Sequence, residues 1–210
     1  MQFARHAGLA LSFRSSGSYW ERRYRAGLTS GLGSYGDLAR FKAEILNGFV
    51  RSREVRSVIE FGCGDGNQLG LADYPSYLGL DVSAKAIDLC HARFAGDRTK
   101  SFLWHDPRRM VNLQNFVTAD LTLSLDVIYH LVEDAAYLSY LDNLFSTARR
   151  FVILYSSDGD DASSVAHVRH RRFTIDVERA YPEFRLTDRI ENRYPEQSFC
   201  SFFFYEKIAG

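Results

Sequence analysis

Three glycines on alternate positions follow a short apolar run in "VIEFGCGDG", residues 58–66. A short apolar run bounded by glycine is typical of a buried strand. Glycine costs backbone entropy, so Gly62, Gly64 and Gly66 indicate a turn whose backbone must approach a ligand closely. In an open α/β sheet, ligands bind beyond the carboxyl ends of the strands. This stretch therefore predicts an α/β fold with a small-molecule site after its first strand.

Strand-like and helix-like segments alternate along the rest of the chain. The strand-like segments are "RSVIEF", "SYLGLD", "KSFLW", "VTADLTLSL" and "FVILYSS", followed by "FRLTDRIEN" and "SFCSFFFYEKI" near the end. Such alternation predicts a mostly parallel sheet with helices on both faces, and the last two strands are close enough to pair antiparallel. We expect residues 1–36 to form an N-terminal lid or arm and residues 37–210 to form the domain.

Composition excludes several classes of protein. The 210 residues carry 26 Lys plus Arg and 26 Asp plus Glu, and this balance argues against a general affinity for nucleic acid. No apolar run reaches the roughly 18 residues of a membrane span, so we expect a cytoplasmic domain with no membrane partner. The three cysteines form no CxxC pair, which predicts neither a disulfide framework nor a metal site.

The glycine spacing, G-x-G-x-G, is one residue tighter than the G-x-G-x-x-G of dinucleotide sites. Together with "YLGLDVS" and "ADLTLSLDVIYHL" further along, it resembles the class I S-adenosylmethionine-dependent methyltransferases. The resemblance covers roughly residues 37 to 207. It implies S-adenosylmethionine as cofactor and a Rossmann-like three-layer α/β sandwich, with a mostly parallel seven-stranded sheet that ends in an antiparallel C-terminal strand pair.

The resemblance also carries cofactor-binding positions onto this chain. The glycine loop would face the methionine part of the cofactor, and Asp81 would bind the ribose hydroxyls. Val82 would pack near the adenine, and Asp106 would accept a hydrogen bond from the adenine amino group. The end of the fourth strand would lie beside the sulfonium. The predicted cofactor residues are Glu60, Gly62, Cys63, Gly64, Gly66, Asp81, Val82, Asp106, Ser124 and Leu125.

The catalytic candidates lie in "SLDVIYHL". A methyl group on a sulfonium is already electrophilic, so the protein mainly aligns the acceptor. A hydroxyl acceptor also needs a base, and the unperturbed pKa of His130, near ~6.5, suits that role. Asp126 is an alternative base or an orienter of His130. A packing role for His130 is equally open.

Two stretches are candidates for holding the acceptor. In "SYWERRYRAGLTSGLGSYGDL", aromatic residues flank a Gly/Ser-rich run, which suggests a mobile lid carrying Tyr19, Trp20 and Tyr35. In "HVRHRRF", His167 and Arg169 would orient a phosphate or carboxylate. A solvated basic loop, balanced by nearby aspartates, is the alternative interpretation of the second stretch.

The absence of several motifs narrows the range of possible methyl acceptors. The loop directly after the fourth strand has no [DN]-P-P-[YFW] motif, no Pro-Cys pair and only one glutamate, Glu133, which argues against DNA and protein-arginine methylation. We predict a small polar acceptor, an oxygen of a sugar, glycan or phosphorylated metabolite, either neutral or anionic. The alternatives are an RNA methyltransferase and a nucleotide-cofactor-binding module without methyl transfer. The glycine spacing favours a methyltransferase.

Overall fold

A computed structural model describes residues 13–110 and 116–208. Its seven strands are β1 (Val58–Phe61), β2 (Tyr77–Asp81), β3 (Lys100–Trp104), β4 (Ala119–Leu125), β5 (Ala148–Ser156), β6 (Phe184–Ile190) and β7 (Ser201–Lys207). They form one sheet in the order β3-β2-β1-β4-β5-β7-β6. Strands β1 to β5 are parallel, and β7 runs antiparallel to both β5 and β6. The predicted sheet is confirmed.

Five α-helices occur in the described part of the chain: α1 (Ser16–Arg25), α2 (Gly36–Ser52), α3 (Ala84–Arg93), α4 (Asp134–Ser146) and α5 (Phe173–Ala180). None of them is long and apolar enough to cross a membrane. Short 3₁₀ helices lie between these elements, at Leu32–Ser34, Leu69–Leu71 and Ile128–His130. Helix α2 begins one residue before the predicted domain boundary, and the division of the chain at residue 36 stays a prediction.

The core lies on both faces of the sheet. Alternate residues of a strand point to opposite faces, so Phe151 and Ile153 pack with α2 and α3, while Val152 and Leu154 pack with α4 and α5. Both faces of the central strands are therefore buried, as expected for parallel strands covered by helices. This arrangement confirms the three-layer sandwich, and it leaves the carboxyl ends of β1 to β5 together at one edge.

Helix α1 lies inside the stretch that the sequence suggested was a Gly/Ser-rich lid. A reciprocal pair of hydrogen bonds starts this helix, because Ser18 N donates to Ser15 Oγ while Ser15 N donates to Ser18 Oγ. Such a capping box satisfies two backbone donors that would otherwise lack partners. Three arginines in the last turn complement the helix dipole.

Candidate active site

The glycine loop turns sharply where β1 ends. Gly62, Gly64 and Gly66 have positive φ angles of 84°, 59° and 72°, a region that favours glycine. A Cβ on Gly62 would lie 2.5 Å from Val127 Cγ2, and one on Gly64 would lie 3.0 Å from the Tyr24 hydroxyl and closer still to Ser30 Oγ. The first two glycines thus allow the loop to fit against neighbouring elements of the site.

Gly62→Ala is expected to destabilise the protein by about 1–3 kcal/mol, because it adds overpacking to an unfavourable backbone conformation. Urea unfolding measures the change. Adding Val127→Ala removes the contact but leaves the backbone strain, so the double variant should recover only part of the loss. Gly48→Ala in α2, where nothing lies within 4 Å, is the control and should be neutral or stabilising. A Gly62→Ala protein as stable as the parent would contradict this account of the loop.

A cavity of about 380 Å³ opens at the carboxyl ends of the strands, within the roughly 300–1,000 Å³ range of small-molecule sites. The predicted residues that line it are Trp20, Glu60, Gly62, Cys63, Gly64, Asp81, Val82, Asp106, Leu125, Asp126 and His130. The predicted residues that lie outside its lining are Tyr19, Tyr35, Gly66, Ser124, His167 and Arg169. The structure thus brings most of the cofactor candidates and both catalytic candidates to one space.

Asp81, at the end of β2, is buried with its carboxylate against the glycine loop. Its Oδ2 accepts a hydrogen bond from Gly64 N at 2.9 Å and its Oδ1 accepts one from Ser83 N at 2.8 Å. Burial raises the pKa of this carboxyl to about 6, although both hydrogen bonds oppose the shift. A carboxylate offers about four acceptor positions, so two remain, the number that a pair of ribose hydroxyls requires.

Glu60 lies beneath the glycine loop, in the middle of the sheet. Its Oε2 accepts a hydrogen bond from the Tyr77 hydroxyl at 2.6 Å. Burial raises the pKa of Glu60 to about 7, even though the Tyr77 hydrogen bond and the charge of Lys42 both lower it. The buried position thus disfavours the charged form of this carboxyl.

The three cysteines are free and buried. A hydrogen bond with Cys90, together with burial, raises the pKa of the Cys63 thiol well above its ordinary value. Burial likewise raises the pKa of Cys200. The thiol of Cys90 donates to the carbonyl oxygen of Gly64 at 3.2 Å. These thiols pack the loop and the core, and their geometry gives them no nucleophilic role.

Asp106, predicted to accept the adenine amino group, is already engaged by Arg108. Its Oδ1 accepts from both N and Nε of Arg108, and its Oδ2 accepts from Nη2, each at 3.1 Å. The Arg108 side chain accordingly lowers the pKa of Asp106. About one acceptor position is left on this carboxylate, and Arg109 Nε lies 3.5 Å from the same Oδ2. The main chain here is also tied to β2, since His105 N donates to the Asp81 carbonyl.

Asp126, directly after β4, has a left-handed backbone with φ 59°. Its Oδ2 accepts a 2.6 Å hydrogen bond from Lys42 Nζ, and its Oδ1 accepts one from the Tyr129 hydroxyl at 3.0 Å. Lys42 is fully buried in α2 and was missed by the sequence analysis. A charged residue on the apolar face of a helix was the available signal, since Lys42 lies four residues from both Leu38 and Leu46.

His130 lies at the end of the short turn after Asp126 and faces the cavity. Its Nδ1 is 2.9 Å from the carbonyl oxygen of His167. A carbonyl only accepts, so Nδ1 carries the proton and Nε2 of the neutral ring carries the lone pair. Burial lowers the pKa of His130 to about 4. The hydrogen bond that orients this ring is therefore the one to the His167 carbonyl. Asp126 is bonded to Lys42 and Tyr129 instead.

Helix α1 covers the cavity and is held at its first residue and near its middle. Glu133 accepts hydrogen bonds from Ser16 N at 3.0 Å and from Ser16 Oγ at 2.7 Å. Glu21 Oε2 accepts from Ser83 Oγ at 2.6 Å and from Lys85 N at 3.2 Å. These two acidic side chains were not predicted site residues, because their partners are far away in sequence.

The segment after α1 closes over the glycine loop. Asp65 Oδ2 accepts hydrogen bonds from Ser30 N at 2.9 Å and from the Tyr35 hydroxyl at 2.8 Å. Burial and the bond to Asp65 raise the pKa of Tyr35 to about 12. Tyr35 therefore fastens the covering segment from outside the cavity, while Trp20 forms part of the wall. Tyr19 stacks on His167 with ring centroids 4.1 Å apart.

The basic loop braces the site from outside. Arg169 Nη1 donates to the Val132 carbonyl at 3.0 Å and pairs with Asp134 at 2.9 Å. Arg171 donates to the Leu131 and Val132 carbonyls and pairs with Asp134 at 3.1 Å. Asp134 and two backbone carbonyls hold these two arginines, whereas the alternative interpretation expected a solvated loop balanced by the aspartates just before it. A role of Arg169 toward the acceptor stays a prediction. Across residues 13–110 and 116–208, no group of three His, Cys, Asp or Glu side chains is arranged to hold a metal ion.

No family model matches the sequence, and no curated protein matches it. Solved structures do match the fold. Magnesium protoporphyrin IX methyltransferase (ChlM) from Synechocystis PCC 6803, with bound SAM, gives a TM-score of 0.67 at 15% identity, over 93% of this chain and 99% of that one. N-methyltransferase NodS from Bradyrhizobium japonicum WM9, in complex with S-adenosyl-L-homocysteine, gives 0.66 at 15% identity, over 92% and 99%.

The methyltransferase domain of bacterial CtHen1-C gives a TM-score of 0.63 at 19% identity, over 80% of this chain and 97% of that one. All three alignments span nearly the whole of the matched structures and 80–93% of this chain. The chain therefore has the fold of the class I S-adenosylmethionine-dependent methyltransferases.

Proposed function

We propose that this protein is an S-adenosylmethionine-dependent methyltransferase that transfers a methyl group to an oxygen of a small polar acceptor. One observation carries the proposal. A single cavity joins the glycine loop and Asp81 to His130 and Asp126, so the groups expected to hold a nucleoside and those expected to handle an acceptor proton face the same space. The solved structures of the same fold that hold SAM or S-adenosylhomocysteine support the choice of cofactor.

The residues present fit the cofactor. The two free acceptor positions of Asp81 suit the ribose hydroxyls, Val82 suits the adenine, and the remaining position of Asp106 suits the amino group. The loop Gly62–Gly66 keeps side chains away from the methionine part. When bound, the cofactor supplies an electrophilic methyl group on a sulfonium. The chain's own residues then have to orient the acceptor, exclude water and receive a proton.

We assign His130 as the base that receives the proton of the acceptor hydroxyl. Its Nδ1–H donates to the His167 carbonyl. The lone pair of Nε2 is then available to the hydroxyl of the methyl acceptor. The lowered pKa keeps the ring neutral at pH 7 but also makes it a weak base. Proton transfer must therefore accompany methyl transfer, because the hydroxyl becomes acidic only as its oxygen gains the methyl group. Asp126, held by Lys42 and Tyr129, supports the acceptor end of the wall.

The size of the covered cavity supports a small acceptor. About 380 Å³ has to hold the acceptor as well as the cofactor, beneath a helix that is fastened at its first residue and near its middle. A sugar, the end of a glycan or a phosphorylated metabolite fits this space better than a polymer. The basic loop, the feature that favoured RNA, uses Arg169 and Arg171 to brace neighbouring carbonyls.

Asp81→Ala is expected to weaken binding of S-adenosylmethionine by about 1.5–3 kcal/mol, the scale for losing hydrogen bonds to a charged group. Calorimetry measures the change, with S-adenosylhomocysteine as a second ligand. Asp88→Ala, on the exposed side of α3, is the matched control and should bind like the parent. A parent protein that binds NADH tightly and S-adenosylmethionine not at all would refute the proposed function.

A further inference from the structure

Two hydroxyl groups of the covering segment lie against the glycine loop. Tyr24, in the last turn of α1, is 3% exposed, and Tyr24, Ser30 and Gly64 all line the cavity. A Cβ added to Gly64 would lie 3.0 Å from the Tyr24 hydroxyl oxygen and closer still to Ser30 Oγ. Both oxygens therefore lie directly against the backbone of the second loop glycine, at the wall of the cavity.

The two hydroxyl groups carry one hydrogen more than their own bonds require. Their oxygens are 3.0 Å apart and share one hydrogen bond, and Ser30 Oγ also accepts one from Asp65 N at 3.0 Å. Each hydroxyl has a single hydrogen, and the shared bond needs only one of the two. No hydrogen bond within residues 13–110 and 116–208 takes the other hydrogen. The pair therefore offers one donor at the cavity wall.

The backbone of the glycine loop has no donor left for an anion. Its five N–H groups all donate within the protein: those of Gly62 and Cys63 to the Leu80 carbonyl, that of Gly64 to Asp81, that of Asp65 to Ser30 and that of Gly66 to the Cys63 carbonyl. Free N–H groups are the usual means by which a glycine-rich turn holds an anion. An anionic group beside this loop therefore needs donors from another element.

The cations at the cavity are already paired. Of the described residues that line it, Lys42 and Arg108 are the two that carry a positive charge, and each has a carboxylate partner. Tyr24, in contrast, is a donor at any physiological pH. Burial, and next the charge of Asp81, raises the pKa of Tyr24 well above its ordinary value, so the phenol keeps its hydrogen.

We propose that the hydroxyl pair of Tyr24 and Ser30 binds the carboxylate of the methionine part of the cofactor. This inference rests on the function proposed above, because S-adenosylmethionine supplies the carboxylate and the glycine loop is the part of the site expected to face it. A hydrogen bond to an ionised acceptor is stronger than one between neutral groups. Since both residues belong to the covering segment, the bound cofactor would itself fasten the cover over the cavity.

The test compares two ligands that differ only in this carboxylate, S-adenosylmethionine and decarboxylated S-adenosylmethionine. Calorimetry measures the binding of each to the full chain. The main variant combines Tyr24→Phe with Ser30→Ala, and the two single variants accompany it. Tyr181→Phe is the matched control, because it removes a hydroxyl that bonds to Asp142 and lies outside the cavity lining. Asp81→Ala serves as a reference for a contact that both ligands share.

The double variant should raise the Kd for S-adenosylmethionine by about 10- to 100-fold, the effect of losing a hydrogen bond to a charged group. The Kd for the decarboxylated ligand should stay nearly the same. Each single variant should lie between the double variant and the parent, because one hydroxyl with its hydrogen remains. Tyr181→Phe should match the parent with both ligands, and Asp81→Ala should weaken both alike, because both carry the ribose.

Two outcomes overturn the inference while the proposed function stands. The first is a double variant that binds S-adenosylmethionine like the parent. The second is an equal loss for both ligands, which would assign the hydroxyl pair to the ribose or to the folding of the loop. A parent that binds neither ligand would instead refute the proposed function itself. The two proposals therefore fail separately.

Discussion

Replacing His130 with alanine is expected to lower kcat by about 10²–10⁴-fold, the usual effect of removing a general base. The affinity for S-adenosylhomocysteine should change little, because the cofactor candidates are the glycine loop, Asp81 and Val82. Saturation kinetics with an accepted substrate, together with calorimetry, separate the two effects. An alanine variant that turns over like the parent would leave alignment alone to account for catalysis.

His130→Asn is the informative companion. Its side-chain amide can still donate toward the His167 carbonyl, but it has no lone pair in place of Nε2. Equal loss in the alanine and asparagine variants indicates a base, whereas activity restored by asparagine indicates a positioning residue. The pH profile adds a second check. Since burial lowers the pKa of His130 to about 4, this ring should cause no fall in kcat near ~6.5, where a free imidazole titrates. The profile is measured at saturating cofactor and acceptor, so that titration of free-enzyme Asp81 near 6 does not enter through cofactor binding.

Deleting residues 1–36 should abolish turnover while leaving a folded sheet. All seven strands, helices α3 to α5 and all of α2 except its first residue, Gly36, lie downstream of the deletion, and circular dichroism with urea unfolding tests that the remainder folds. Trp20, Tyr24 and Ser30 leave the cavity wall with the deleted segment, so water enters the site and the acceptor loses its cover. Comparable activity in the shortened chain would make the segment a passive arm.

A point variant examines the same cover without removing it. Glu133→Ala deletes the acceptor of both Ser16 hydrogen bonds and should reduce kcat/KM by roughly tenfold or more, since hydrogen bonds to charged groups contribute about 1.5–3 kcal/mol. Glu44→Ala is the control, because that exposed glutamate pairs only with Arg193 at the surface. Equal loss in both variants would indicate a general effect on stability rather than on closure.

The centre of the sheet was predictable because β1, β4 and β5 are separate apolar runs with their own boundaries. The edge strand β6 is mostly exposed and was predicted from its place beside the apolar β7. Helix α1 was not, since its buried face consists of Ser16, Tyr19, Arg23 and Tyr24 and lacks the aliphatic period that marks a helix. Three glycines and two serines after it favoured a loop. The helix forms because its capping box and its hydrogen bonds to Glu133 and Ser83 supply the stability that a regular apolar face would otherwise give.

The cofactor half of the cavity was predictable because its residues are neighbours in sequence. The other half depends on pairs that only the fold brings together. Lys42 and Asp126 are 84 positions apart, and His130 and His167 are 37 positions apart. The same limit applies to the arginines. Composition marks a basic cluster, but only packing decides that Arg169 pairs with Asp134.

The burial of the three cysteines has a practical consequence for measuring how α1 moves. A thiolate is the reactive form of cysteine, and Cys63, Cys90 and Cys200 are all buried, with the pKa raised for the first and the last. A maleimide fluorophore should therefore not label the three native cysteines. Leu32, 86% exposed on the covering segment, is a suitable place for Leu32→Cys. One dye there would report opening and closing in solution without removing any natural cysteine.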